Sequence, residues 1–566
     1  MRIVWIALWV LLLVLVGLCV YPGTAPYLHW RLAALYQIGA RQETLYDYLK
    51  GEGTPKDRGR RRIEQLRKQF ADDFEVNWAA AHAVAGLSPE KVRAELSALL
   101  PRFGHRPELY AGLLRNECRE FRIGRPEEYR FLRDKRPVQP ANRKSALQVL
   151  NWARRGEQLD ASNGFFSGMR VLALLALRRD EEAIQALKEA ARKPRWDDYT
   201  DEEAEALVRF RRLLTGRRVA DTDIAISGSI LFPHFAYQRA MARIMVALAA
   251  EREQKGKIRE GLQIRLALAE YGGRIQSQSP WLIGALVGVA ISRVASAFPM
   301  GVEATPPPQM SPAQQGEWRT QQFVRYLQAR GFPREANWFQ AEYKRADTVV
   351  NLTRNASDRF FNGLFQQMRG YYWLGTSLFF CLGLVLGLGV VLITLVVSMR
   401  SRLSFVSTLI LALIALLAAT CWFAFSSAAE MMWRLLEAER AAQVWLTETD
   451  SASAVQKSLS PLPRLLRWVL PFGGYVANLI LLAVGLLWVV FSRRAAQGQG
   501  VQGLKQFVAV AFAALLLVVN LLMIAQVRAE RRLEQVAAQM RRNEIRLLLQ
   551  ASGTKTSLPP FVPPPR

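Results

Sequence analysis

YYWLGTSLFFCLGLVLGLGVVLITLVVS, residues 371–398, contains no charged side chain. A helix of about 20 apolar residues crosses a hydrocarbon layer of about 30 Å, so this stretch reads as a membrane span. The uncharged runs Leu403–Ala429, Trp468–Phe491 and Phe507–Gln526 read the same way, and Ile3–Leu28 opens the chain with another. The expectation is an all-α protein with five spans and a helical-repeat-like domain between the first and second.

Working outward, the pattern divides the chain as follows: an N-terminal anchor (1–28), an extracytoplasmic helical-hairpin domain (29–300), a Pro-rich linker (301–312), an amphipathic helical stalk (313–370) and spans two and three (371–429). An external loop (430–467), spans four and five (468–526), an amphipathic tail helix (527–550) and a disordered Pro-rich end (551–566) complete it. Arg400 and Arg402, and then Arg493, Arg494 and Lys505, lie in short connections without acids. Basic short loops face the cytoplasm, which predicts a multi-pass protein of a bacterial-type inner membrane with its large domain periplasmic or extracellular.

Within the spans the signals are those of packing. Gly383 with Gly387, and Gly473 with Ala477, form small-residue faces, and Asn478 and Asn520 are polar groups suited to interhelical hydrogen bonds. Packing within one bundle is the simpler use of these faces; homo-oligomer formation through them stays open. The spans lack Asp, Glu, Lys, Arg and His, which argues against an ion-coupled transporter.

The middle region is helical by its periodicity. Phe74–Ala85 and Glu90–Leu100 are split by Gly86 and Ser88-Pro89, with Ser88 as N-cap, and must pack antiparallel to bury their stripes. Residues 223–232 read as an extended connection. Trp281–Phe298 is too short in its apolar part to cross a bilayer, so it reads as the most buried soluble helix, capped by Ser279; Gly284 and Gly288 would let a neighbour approach closely. Phe165–Leu177, a turn at Arg178-Arg179-Asp180, and Glu181–Ala191 form a hairpin with Ala183, Leu187 and Ala190 on one face, closed by Pro194. Over residues 163–194 this resembles a tetratricopeptide-type repeat, although Arg179 stands where that family's turn has glycine and Val171 near its small residue. The resemblance implies a protein-binding helical array.

The net charge of +27 does not point to nucleic acid, because arginine is spread along the whole chain. Cys118 is the single cysteine outside the apolar runs, which leaves no cysteine metal site. His29, His82, His105 and His234 fall in no ligand-spaced or triad motif, and no phosphate-binding loop occurs. The expectation is therefore no metal, no cofactor and no identified catalytic residue. The favoured function is a membrane-anchored protein-binding scaffold or assembly factor. A permease-like subunit working with a separate cytoplasmic ATPase, and an extracytoplasmic carboxylate-based hydrolase, are the alternatives.

Overall fold

The computed structural model describes residues 2–21, 24, 55–85, 88–128, 137–215, 223–224, 226, 232–297, 309–401, 500–551 and 559–565. Among these the secondary structure is helical, with no strand and one isolated parallel bridge, Asn163 to Arg195. The elements are α1 (Arg2–Val20), α2 (Pro55–Gln69), α3 (Phe74–Ala85), α4 (Pro89–Ala98), α5 (Leu100–Phe103), α6 (Pro107–Glu117), α7 (Arg143–Leu159) and α8 (Gly164–Ala176). They continue with α9 (Asp180–Arg192), α10 (Thr200–Thr215), α11 (Pro233–Gln254), α12 (Ile258–Gln278), α13 (Leu282–Ala295), α14 (Pro312–Ala329), α15 (Pro333–Ser401) and α16 (Gly500–Ala551). The chain forms two compact units: Met1–Arg61, Thr215–Ser229 and Leu364–Ala537 make one, and Arg62–Leu214, Ile230–Gly363 and Ala538–Arg566 the other.

The second unit is a stack of helical hairpins. In α3 and α4 the split falls where the sequence places it, and the Ser88 hydroxyl accepts the Lys91 amide at 3.4 Å. Successive helices pack on one another from α6 through α7, α8 and α9, and from α11 through α12 to α13, because each carries an apolar stripe that it cannot bury alone. Three hairpins share one turn. Arg178 (φ 60°), Gly256 (φ 80°) and Gly331 (φ 84°) are left-handed, and the next residue's N–H returns to a carbonyl five positions back: Arg179 to Leu174 at 2.9 Å, Lys257 to Arg252 at 2.9 Å, Phe332 to Leu327 at 3.0 Å. This Schellman closure satisfies orphan carbonyls at the helix end and lets the next helix start two residues after the left-handed one. The α8–α9 hairpin buries Ala183, Leu187 and Ala190 completely. It supports a generic helical-repeat arrangement; nothing in it is particular to tetratricopeptide repeats, and Arg178, not Arg179, takes the position that favours glycine.

Gly288 serves the close approach expected of it. A Cβ there would lie 2.4 Å from the Gln276 nitrogen and 2.5 Å from the Gly272 oxygen, so α12 and α13 touch backbone to backbone. The start of α13 is closed differently from the expectation. Ser279 accepts the Trp281 amide at 3.3 Å, while the Leu282 amide is taken by Glu544 of α16 at 2.8 Å and the Glu544 amide returns to the Pro280 carbonyl at 2.8 Å. Glu544 reaches this position because α16 breaks at Asn543 (φ −163°, ψ 83°), whose side-chain oxygen accepts the Arg546 amide at 2.8 Å as an N-cap would. Within the stretch 313–350, Phe323 and Phe339, rings 5.2 Å apart, are buried in the core of this unit.

In the first unit, Leu8 of α1, Leu378 and Val385 of α15, and Ala509, Leu516, Val519 and Met523 of α16 form one apolar cluster. The expectation of five spans and a multi-pass topology is overturned here. Among the described residues a single helical stretch, Val508–Gln550, is long and apolar enough to cross a bilayer, by length and composition. The described part of the opening run is a helix of residues 2–20. Its helix stops at Val20, where Thr24 folds back to bond the Leu18 carbonyl, and its apolar part Ile6–Leu18 is too short. Tyr371–Ser398 forms no helix of its own; it is the last part of α15, which begins at Pro333. Leu403–Ala429 and Trp468–Phe491 lie outside the described residues. The multi-pass inner-membrane localisation and the permease-like alternative rested on counting those runs as spans, and they fall with the count. Of residues 223–232, Asp223, Ile224 and Ile226 are helical, not extended, and most of the rest is outside the described residues.

Candidate functional site

After α6 the chain runs through the irregular segment Phe121–Arg125 with alternating burial: Phe121, Ile123 and Arg125 are buried and Arg122 is exposed. Gly124 (φ 65°) permits this path, because a Cβ there would meet the Ala141 nitrogen at 2.4 Å. Opposite stands the first half of α11. Its Tyr237 hydroxyl donates to the Phe121 carbonyl, and the two rings meet edge to face at 5.6 Å. Between them, and bounded by Pro137, Val138 and Gln139, opens a cleft of ≈ 460 Å³.

The walls of this cleft are apolar at Ile123, Pro137, Val138, Ala236 and Ala240, and the polar groups are held in fixed positions. Arg122 donates to Gln139 at 3.0 Å and to the Tyr237 hydroxyl at 3.1 Å. Buried Arg125 forks onto Asp180 (2.7 and 3.1 Å) and onto Glu127 (3.1 Å from each nitrogen used), pinning this segment to the α8–α9 turn. Glu128 accepts from Arg243 at 3.0 Å. Burial pushes the Tyr237 hydroxyl pKa up, so it remains a neutral donor. Chemically the cleft is an apolar trough with an arginine and an amide at its rim.

The histidine–carboxylate pair that a hydrolase would require exists elsewhere, closed off. His234 Nε2 lies 2.9 Å from Asp198 Oδ2, and Thr200 donates to the other oxygen at 2.6 Å. Arg115 of α6 bonds the Asp198 carbonyl and Glu203, and His82 of α3 lies 3.7 Å from Glu203. His234 and Asp198 are 0 % and 1 % exposed, and neither lines the cleft. Burial lowers the pKa of both His234 and His82. His234 is thus neutral, with Nε2–H given to Asp198, whose own pKa is lowered by that bond against the opposing effect of burial. The network ties α3, α6, α10 and α11 together. Asp197, Asp201 and Glu202 converge within 4.8 Å beside it. Asp201 and Glu202 stand in the first turn of α10, where the helix dipole favours carboxylates, and Asp197 precedes the helix; burial and the neighbouring acids push the Asp197 and Glu202 pKa values up to about 6 and about 9. Cys118 is buried, which pushes its thiol pKa up and makes it inert.

The other sequence-derived candidates do not converge on the cleft. Asn520 is buried in α16 and donates to the Leu11 carbonyl of α1 at 3.2 Å and to the Leu516 carbonyl at 2.8 Å. Gly383 and Gly387 lie within α15; Gly473, Ala477 and Asn478 are outside the described residues. The cleft itself was not legible beforehand, since its residues come from an irregular segment and a helix more than 100 positions later. The odd–even alternation of F-R-I-G-R at 121–125 was the available signal. No protein-family model, curated protein or solved structure matches the chain.

Proposed function

We propose that this chain is a protein-binding scaffold: its helical-repeat-like unit holds a partner in the cleft between residues 121–125 and α11, and the apolar part of Val508–Gln550 attaches it to a lipid bilayer. The observation that carries the reading is the preformed trough itself. An apolar side chain of the partner enters between Val138 and Ala236, and a carboxylate or carbonyl beside it meets Arg122. The competing hydrolase reading needs two carboxylates facing one opening; among the described residues that line the cleft only Glu128 is acidic, and it is engaged by Arg243. Helical arrays bind through extended surfaces of this kind without catalytic groups.

A photocrosslinking residue in place of Val138, in the full chain expressed in its native membranes, should capture a discrete partner. Ala236→Arg should remove that adduct, since Ala236 is exposed and a long cation there fills the trough without entering the core. Retention of the adduct in the Ala236→Arg protein, or no adduct from Val138 at all, rejects the cleft as the binding surface.

A further inference from the structure

The sequence alone predicts a disordered end over residues 551–566, yet Pro559–Pro565 is held against α12 and α15. Trp338 Nε1 of α15 donates to the Val562 carbonyl at 3.0 Å, and Arg345 Nη1 to the Pro559 carbonyl at 3.2 Å. Phe561 sits edge-on to the Trp338 ring (6.3 Å, 87°) and under the Arg345 guanidinium (5.3 Å). On its far side is Gly273 of α12, where even a Cβ would come within 2.3 Å of the Phe561 ring.

This is a built site. A segment in which Pro559, Pro560, Pro563, Pro564 and Pro565 lack N–H groups offers its surroundings mainly carbonyls, and the groove presents donors to them. Arg345 is aimed before any ligand arrives: Glu342, 5 % exposed, accepts from two of its nitrogens at 2.6 Å each, and Gln276 accepts from it as well. Indole N–H to carbonyl, an aromatic wall and a proline-stiffened chain already low in entropy are the physical elements of polyproline recognition.

We propose that the groove formed by Gly273 and Gln276 of α12 with Trp338 and Arg345 of α15 is a recognition site for a proline-rich segment with a central aromatic. Pro559–Pro565 occupies it in cis, and its external ligand is a partner protein carrying the same Pro-Pro-aromatic chemistry. Only residues 552–558 join α16 to the occupant. So short a tether sets a millimolar-range local concentration, so a partner must outcompete the chain's own segment and the site is gated by its tail.

The test uses a fluorescent peptide of residues 556–566 with two detergent-solubilised proteins, the full chain and the chain ending at Leu558. The truncated chain should bind the peptide, and the full chain should bind it about tenfold or more weakly, because the tethered copy competes. A peptide with Phe561→Ala should lose binding to the truncated chain, a change that cannot disturb folding of the protein. Trp338→Phe in the truncated chain, which removes the donor and keeps a ring, should weaken the normal peptide. No binding by the truncated chain, or equal binding of the Phe561→Ala peptide, overturns the site. Equal binding by the two proteins overturns cis occupancy, as does a full-length dimer that dissociates on truncation.

Discussion

Gly288→Ala tests the tightest contact in the helical stack. The added methyl would stand 2.4 Å from the Gln276 nitrogen and 2.5 Å from the Gly272 oxygen, and both are backbone atoms that cannot rotate away. Restoring ordinary contact requires α13 to withdraw by about 1 Å, and a gap of that size forfeits roughly a quarter to a half of each dispersion well along the seam. Ala285, Ile291 and Ala295 are fully buried on that helix, and the Ser292 hydroxyl would stretch its 3.1 Å bond to the Ala269 carbonyl. Overpacking of this kind costs about 1–3 kcal/mol, here at the upper end, and the better helix propensity of alanine returns about 1 kcal/mol. The net loss of roughly 2 kcal/mol should lower the thermal midpoint of the full chain in detergent by roughly 2–4 °C, followed by helical circular dichroism. Gly363→Ala is the control, because nothing lies within 4 Å of its Cβ and only the propensity gain remains. If Gly288→Ala leaves the midpoint as high as Gly363→Ala does, the backbone contact between α12 and α13 is not there.

Two further outcomes follow from buried charge. His82 and His234 are held neutral by burial, so below their ordinary pKa of about 6.5 the unfolded chain takes up protons that the folded chain does not; urea stability should fall between about pH 7.5 and about pH 5.5, and His234→Gln should reduce that slope, an unchanged slope counting against a neutral buried imidazole. Arg265, fully buried, bonds Glu253 at 2.7 and 3.1 Å, bonds the Ala295 and Ala297 carbonyls at 3.0 and 2.8 Å, and lies 4.5 Å from the Phe323 ring centre; Arg265→Ala should cost about 3–5 kcal/mol in denaturant unfolding, with Arg265→Lys recovering only part, and a loss within about 1 kcal/mol would show the pair to be solvated.

The helices of the second unit were legible because each announces itself locally. Ser88-Pro89, the apolar stripe of 181–191 and the glycine spacing of 284 and 288 are short-range signals with short-range causes. What escaped depended on distant partners. Arg265 looks like any exposed arginine until α14 brings Phe323 over it, and Asn543 looks like mid-helix until its neighbour Glu544 is seen capping α13. The three Schellman turns share no sequence period, since Arg178 fills one of the left-handed positions that glycine fills in the others. Counting apolar runs failed for a related reason: hydropathy does not mark where a helix begins or ends, and it separated Tyr371–Ser398 from the helix that the stretch completes. The recognition groove was hidden by proline, which was read as a mark of disorder when its missing N–H groups make it a ligand for donors.

The groove and its occupant are made at different times. Gly273, Trp338 and Arg345 leave the ribosome roughly 200 residues before Pro559, which at about 5–20 residues per second is an interval of roughly 10–40 s. During synthesis the indole and the guanidinium therefore face the cell with no tethered competitor. A proline-rich partner meets its weakest opposition on the nascent chain, and its best opportunity to be incorporated comes before the protein is finished.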